Sequence, residues 1–275
     1  MKLKFQATKE LKSYETTDVV AYDGNIVDVS PHRGMQLMKI WPRNFFPLSS
    51  KKLPFHLTKL TSTPLVSILI PQRGRPAQIK RCLELIVANT NYPNYEVILI
   101  CDRDDLALVK GISEHTRIKV VVDPSPKRQM FVGKANYGFR ISKAPYLVYL
   151  ANDVEVGKNW LTEAMKTMLG AFPGGVGLVG FNHGDPQKHA YHGLISRGFV
   201  NKYLKGNIFY PGYIHFWCDL ELVAIAKKHN RFRFCPQAKV YHRSVRDNIH
   251  AEGWRASYQQ GATLLIKRSK AGFPL

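Results

Sequence analysis

From Leu65 onward, short unbroken apolar runs alternate with longer stretches whose apolar residues recur at helical spacing. The run "LVSILIP" (65–71) is β-branched and continuous, the mark of a strand covered on both faces. In "PAQIKRCLELIVAN" (76–89), Ile79, Cys82, Leu83, Leu85 and Ile86 predict a helix. "YEVILICD" (95–102) predicts a second strand and "DLALVKGISEH" (105–115) a second helix. "RIKVVVD" (117–123) reads as a third strand, "GKANYGFRISK" (133–143) as a helix and "PYLVYLAND" (145–153) as a fourth strand. Repeats of this length predict an α/β domain over 63–275, a mostly parallel central sheet flanked by helices.

Residues 1–62 have a different texture and predict a small appendage. "DVVAYDGNIVDVS" reads as two short strands joined in a hairpin at Asp23-Gly24. Ser30 and Pro31 open a short helix carrying Met35, Leu37, Met38 and Trp41. "PLSSKKLPFHLTKLTSTP" (47–64) follows as a basic, proline-rich linker.

In a parallel sheet, ligands sit beyond the carboxyl ends of the strands. Those ends carry "PQRGR", "CDRDD" and "ANDVE". Asp102, Asp153 and Glu155 would meet there, and converging carboxylates call for a cation. Mg²⁺ or Mn²⁺, completed by water and phosphate oxygens, satisfies that need and makes a nucleotide-phosphate site. The alternative, in which Asp102 and Asp153 merely cap the helices that follow them, stays open on these grounds.

With 45% hydrophobic residues the chain can bury a full core. No stretch reaches the roughly 20 apolar residues of a membrane-spanning helix. The charged start "MKLKFQATKE" lacks the apolar core of a secretory signal. Cys82, Cys101, Cys218 and Cys235 form no CxxC pair, which argues against zinc and for the reduced thiols of a cytoplasmic protein. Charge changes the picture most. Forty Lys and Arg against twenty Asp and Glu leave +20, a field that gathers polyanions.

Four segments resemble family 2 glycosyltransferases of the GT-A fold. They are "VSILIPQRGRPAQIKRCLELI", "YEVILICDRDD", "GKANYGFRISKAPYLVYLANDVEVGKNWL" and "FWCDLELVAIAKKHNRFRFCPQAKVYH", which together span about 64–268 in the family's order. The resemblance implies a UDP-sugar donor. Pro71, Arg73 and Arg75 would hold uridine or diphosphate, and Asp102 would accept from the uracil N–H. Asn136 and Lys134 would line the donor pocket together with Asn152. Asp153, at the last position of the Asp-x-Asp motif, would bind the metal, aided by Glu155 and His242. Asp219 takes the place of the catalytic base. Two departures matter: Ala151 replaces the motif's first Asp, and Cys218 replaces the Glu before Asp219. The second leaves open whether Asp219 or Glu221 is the base.

The acceptor is read from charge. Residues 227–246 hold seven Lys or Arg and no acid, interleaved with Phe232, Phe234 and Tyr241. Basic groups recur at Lys51, Lys52, Lys59 and in "LLIKRSK". This suits a DNA acceptor carrying a hydroxymethylated pyrimidine, of the kind phages glycosylate, whose base must leave the stack. One alternative is a cell-envelope polysaccharide or lipid-linked sugar at an anionic membrane surface, with 254–273 as an amphipathic contact. Another is a catalytically decayed nucleic-acid-binding module.

Overall fold

The computed structural model of the protein describes residues 63–109, 115–185, 188–243 and 247–274, preceded by five short strands. The chain divides into two compact units, 1–62 and 63–275. In the first, β1 (Lys2–Phe5) pairs antiparallel with both β4 (Ile26–Asp28) and β5 (Phe45–Pro47). Strand β2 (Ser13–Glu15) pairs with β3 (Val20–Tyr22). The predicted hairpin strands therefore both form, yet they belong to different sheets rather than to each other. Three-residue strands offer too few cross-strand contacts for a local turn signal to dictate the partner. The Asp23-Gly24 turn, the helix over 31–41 and most of the linker lie outside the described residues.

The second unit is built on an eight-stranded sheet. Its strands are β6 (Val66–Pro71), β7 (Tyr95–Cys101), β8 (Ile118–Val122), β9 (Tyr146–Tyr149), β10 (Val154–Val156), β11 (Leu178–Asn182), β12 (Gly193–Ser196) and β13 (Phe232–His242), in the order β10-β13-β11-β12-β9-β6-β7-β8. Strands β9-β6-β7-β8 run parallel, as do β11 and β13, while β12 and β10 run against their neighbours. The sheet is thus mixed, with four of seven neighbour pairings parallel.

Strand alternation sends side chains into two cores. On one face Val66, Ile68 and Ile70 pack with α1 (Pro76–Asn89) and α3 (Trp160–Ala171). On the other, Leu69, Ile98 and Ile100 pack with α2 (Phe131–Ile141), α4 (Arg197–Tyr203) and α5 (Cys218–Lys228). Each fully buried Ile or Leu is worth about 1.5–3 kcal/mol relative to exposure, so covering both faces accounts for the unbroken apolar strands. A long helix, α6 (Asn248–Lys270), starts from an Asp247 cap whose side chain accepts from His250 N–H. Among the described residues no helix is long and apolar enough to cross a membrane.

The helix expected over 105–115 is instead a 3-10 turn, Arg103–Val109, followed by undescribed residues. Asp105 N–H closes on Asp102 C=O. The Asp104 and Asp105 carboxylates are drawn to Arg73 and to Gly74 N–H, at 2.6 and 3.0 Å. Those bonds hold the turn against the loop after β6.

Candidate active site

The parallel strands deliver three polar loops to one end of the sheet. After β6 come Gln72, Arg73, Gly74 and Arg75, where Gly74 (φ 53°) and Arg75 (φ 53°) are both left-handed. A non-glycine residue held there costs about 1–2 kcal/mol, so its partners must offset strain. Arg75 grips Asp247 with two bonds of 2.7 Å and reaches Asp153 at 3.0 Å. A Cβ at Gly74 would also press on the tip of the Ile249 side chain of α6. The loop after β9 carries Asn152, whose amide donates to Gln72 Oε1 at 3.0 Å and Arg73 C=O at 3.1 Å. Its neighbour Asp153 is buried, with Oδ1 lying 3.1 Å from His242 Nε2 at the end of β13.

These loops, α2, α5 and the start of α6 enclose a cleft of about 580 Å³. Pro71, Arg73, Arg75, Lys134, Asn152, Asp153, Asp219 and His242 all line it. Asp102 stands just behind the lining, 2.8 Å from Lys134 Nζ. The cations at the cleft are already engaged. Arg73 is held by Asp104 at 2.6 Å, Arg128 by Glu252 at 2.5 Å, and buried Lys134 also donates to Gln72 C=O at 2.6 Å. The net +20 therefore does not reside in the cleft, where carboxylates match the cations.

Asp219 sits in the first turn of α5. A helix N-terminus favours the ionised form of a carboxyl, and the amides of Asp219 and Leu220 pull that way. Burial outweighs them and raises the carboxyl to about 6. It is still largely ionised at neutral pH and far more basic than a surface Asp.

Three expected site residues lie elsewhere. Asn136 is buried and spends its amide on the backbone of Phe209, donating to C=O at 2.9 Å and accepting from N–H at 3.0 Å. It bridges core elements instead of lining the cleft, and Asn136→Ala is expected to cost about 2–4 kcal/mol in chemical denaturation by orphaning two buried backbone groups. Nucleotide affinity should stay unchanged. Glu155 projects from β10 away from the cleft lining and pairs with exposed Arg243 at 2.6 Å. Glu221 is 2% exposed, points away from the cleft and is clamped by Arg268 at 2.8 and 3.0 Å and by Tyr213 OH at 2.9 Å. Helical periodicity explains this: two residues along α5 from Asp219 is about 200° around the axis.

Among the described residues no three His, Cys, Asp or Glu side chains cluster as a complete metal set. Asp153 Oδ1 and His242 Nε2, 3.1 Å apart, are spaced as neighbouring ligands of one small divalent cation, for which bonds of about 2.1 Å at right angles place donors about 3 Å apart. Two protein ligands suit a cation completed by water and phosphate oxygens.

The structure adds residues the sequence reading missed. Four histidines besides His242 line the cleft: His189, His192, His215 and His250. Burial holds His215 at about 4 and His192 well below its ordinary value, so both are neutral donors or acceptors at pH 7. His192 Nδ1 is 3.3 Å from His183 Nε2. Asp247, held down to about 2 by Arg75, was visible only as a helix-cap residue before "NIH". Tyr191, Phe216, Trp217 and Tyr258 complete an aromatic wall.

Among the described residues, the basic segment 227–243 does not form a stacking platform. Strand β13 is 11 residues long and irregular between Cys235 and Lys239, and it places Arg231 and Arg233 at the opposite end from His242. Phe232 packs on the core, and Tyr241 alone of the three aromatics is exposed.

Solved structures share the fold. The mannosyltransferase PcManGT from Pyrobaculum calidifontis, in complex with GDP-Man and Mn²⁺, superposes with a TM-score of 0.59 at 17% identity, over 75% of this chain and 65% of that one. S. aureus TarS 1–349 in complex with UDP gives 0.52 at 13% identity, over 64% and 59%. The architecture is therefore that of the GT-A glycosyltransferases. Among sequences, the O-antigen biosynthesis protein RfbC of Myxococcus xanthus is 29% identical over half of this chain and 12% of its own length. Glycosyltransferase AglE of Haloferax volcanii is 28% identical over 45% of this chain and 41% of its own. An uncharacterized protein of Sinorhizobium fredii, y4gI, is 28% identical over 64% of this chain and 20% of its own. The chain thus spans less than half the length of each of these relatives. Residues 67–249 match the profile of Glycosyl transferase family 2, and the chain belongs to that family.

Proposed function

We propose that the domain transfers a sugar from a nucleoside diphosphate sugar to an acceptor hydroxyl, inverting the anomeric carbon. The observation that carries this reading is the convergence of Asp153, His242 and Asp219 on one cleft at the carboxyl ends of parallel strands. Neighbours solved with GDP-Man and Mn²⁺, and with UDP, support a nucleotide donor and a divalent cation. Asp153 and His242 would hold Mn²⁺ or Mg²⁺, which when bound offsets charge on the departing diphosphate. Asp102 beside the cleft would accept the uracil N–H of a UDP-sugar, with Arg73 and Lys134 nearby.

Asp219 takes the acceptor's proton as its oxygen attacks the anomeric carbon from the face opposite the diphosphate. One carbon–oxygen bond forms while that to the diphosphate breaks, and the diphosphate keeps the electron pair. Burial tunes Asp219 for this role, because a carboxyl near 6 is a stronger base than one near 4 and remains ionised at pH 7. Incubation with UDP- and GDP-sugars and Mn²⁺ tests the proposal. Nucleoside diphosphate should be released by the protein and reduced to background by Asp153→Ala. Equal rates for the two would support the decayed binding module instead.

The net charge of +20 favours a second reading of the acceptor as hydroxymethylated DNA. It predicts retention of duplex DNA at low salt, lost steeply as salt rises. The name of the Myxococcus relative, an O-antigen biosynthesis protein, supports a glycan acceptor.

A further inference from the structure

We infer that the stacked pair Trp254–Tyr258 on α6 is the acceptor subsite and receives the face of a neutral pyranose ring. This rests on the transferase reading above. Trp254 is 50% exposed, unusual for so large an apolar side chain. Its ring stacks on Tyr258 with centroids 5.3 Å apart and planes 25° from parallel. One helical turn separates the two residues, so a rigid element sets their geometry.

Tyr258 belongs to the cleft wall and carries the aromatic surface inward. It meets Phe216 edge-on at 5.6 Å and Trp217 at 5.1 Å. Trp217 Nε1 donates to Tyr258 C=O at 3.0 Å, which ties α6 to the residue that opens α5. Asp219 is two residues further on. A continuous aromatic path thus leads from solvent to the proposed base.

The chemistry of this path selects its ligand. Aromatic faces are electron-rich and attract the polarised C–H face of a sugar ring. A nucleic acid would also need uncommitted cations for its phosphates. Arg128, which lines the cleft, is instead held by Glu252, two residues before Trp254. His215, held at about 4, presents a neutral imidazole. Rings with hydroxyls and no charge fit such a wall.

Saturation-transfer NMR tests the inference, using cellotriose, maltotriose, mannotriose, chitotriose and a deoxythymidine decamer as probes. At least one trisaccharide should give saturable transfer confined to ring C–H protons. Trp254→Ala should weaken it about tenfold, equivalent to about 1.4 kcal/mol, whereas Trp254→Phe should retain most of it. Unchanged melting temperatures check that the variants fold. Silence from all four saccharides, a response to the decamer alone, or undiminished binding by Trp254→Ala would overturn the inference. Nucleotide binding measured on the same samples separates the failures. Its absence sinks the transferase reading, while its presence beside silent saccharides sinks only the acceptor subsite.

Discussion

Replacing Asp219 by Asn should lower the rate of sugar transfer by about 10²–10⁴-fold while leaving donor affinity nearly unchanged. The substitution keeps size and hydrogen-bonding capacity at the first turn of α5 but removes the proton acceptor. In the wild type the rate should rise with pH and level off above about 6, because only the ionised carboxylate accepts the proton and burial places its titration there. The same burial has a stability consequence of opposite sense. A carboxyl raised from 3.8 to about 6 binds its proton more tightly in the folded state, so its contribution is fully present below about pH 4 and is lost as pH rises through 6. Asp219→Asn should therefore be more stable than the wild type at pH 8, by about 1–3 kcal/mol, and the gap should close towards pH 4. Thermal melts at both pH values, beside steady-state rates, separate a base from a simple helix cap. A mere cap, a role that Asn fills about as well as Asp, would leave the rate unchanged.

The second large effect lies behind the cleft. Arg268→Ala should destabilise the 63–275 unit by about 3–5 kcal/mol, since it strands the buried Glu221 carboxylate. Arg268 binds both oxygens of Glu221, donates to Pro274 C=O at 2.9 Å and lies 3.4 Å from the Tyr210 ring centre. One substitution therefore removes a charge partner, a backbone tie and a cation–π contact. The double variant Glu221→Gln/Arg268→Met should recover much of the loss, because no ion is then left unpaired. Denaturant titrations of the two single variants and the double variant check this. Were Glu221 the base instead, the double variant would be stable but inactive, whereas here it retains transfer.

How much was legible in the sequence depends on the range of the interaction. The strands over 65–71, 95–102 and 117–123 and the helix over 76–89 were legible because burial on both faces, or on one helical face, is written locally. Asp153 was legible as a cleft residue because a strand tip fixes where a side chain points, and Asp219 through the resemblance of its segment to the family. Glu155 and Glu221 misled because each lies two residues from a site residue: helical periodicity turns Glu221 away, and Arg243 holds Glu155. Asn136 misled because its partner, the backbone of Phe209, lies 73 residues distant. The hairpin at Asp23-Gly24 failed for a similar reason: the turn is local, but the partners of β3 and β4 are not. The basic stretch 227–246 looked like one surface, and an extended strand dispersed it.

The central claim is that Asp153, delivered by β9 to meet His242, is where the donor diphosphate binds. Calorimetric titration of UDP and GDP in the presence of Mn²⁺ tests it most directly. We predict saturable one-to-one binding of at least one nucleotide, retained by Asp219→Asn and weakened at least about tenfold by Asp153→Ala. Undiminished affinity in Asp153→Ala, or no binding of either nucleotide by the wild type, would contradict it.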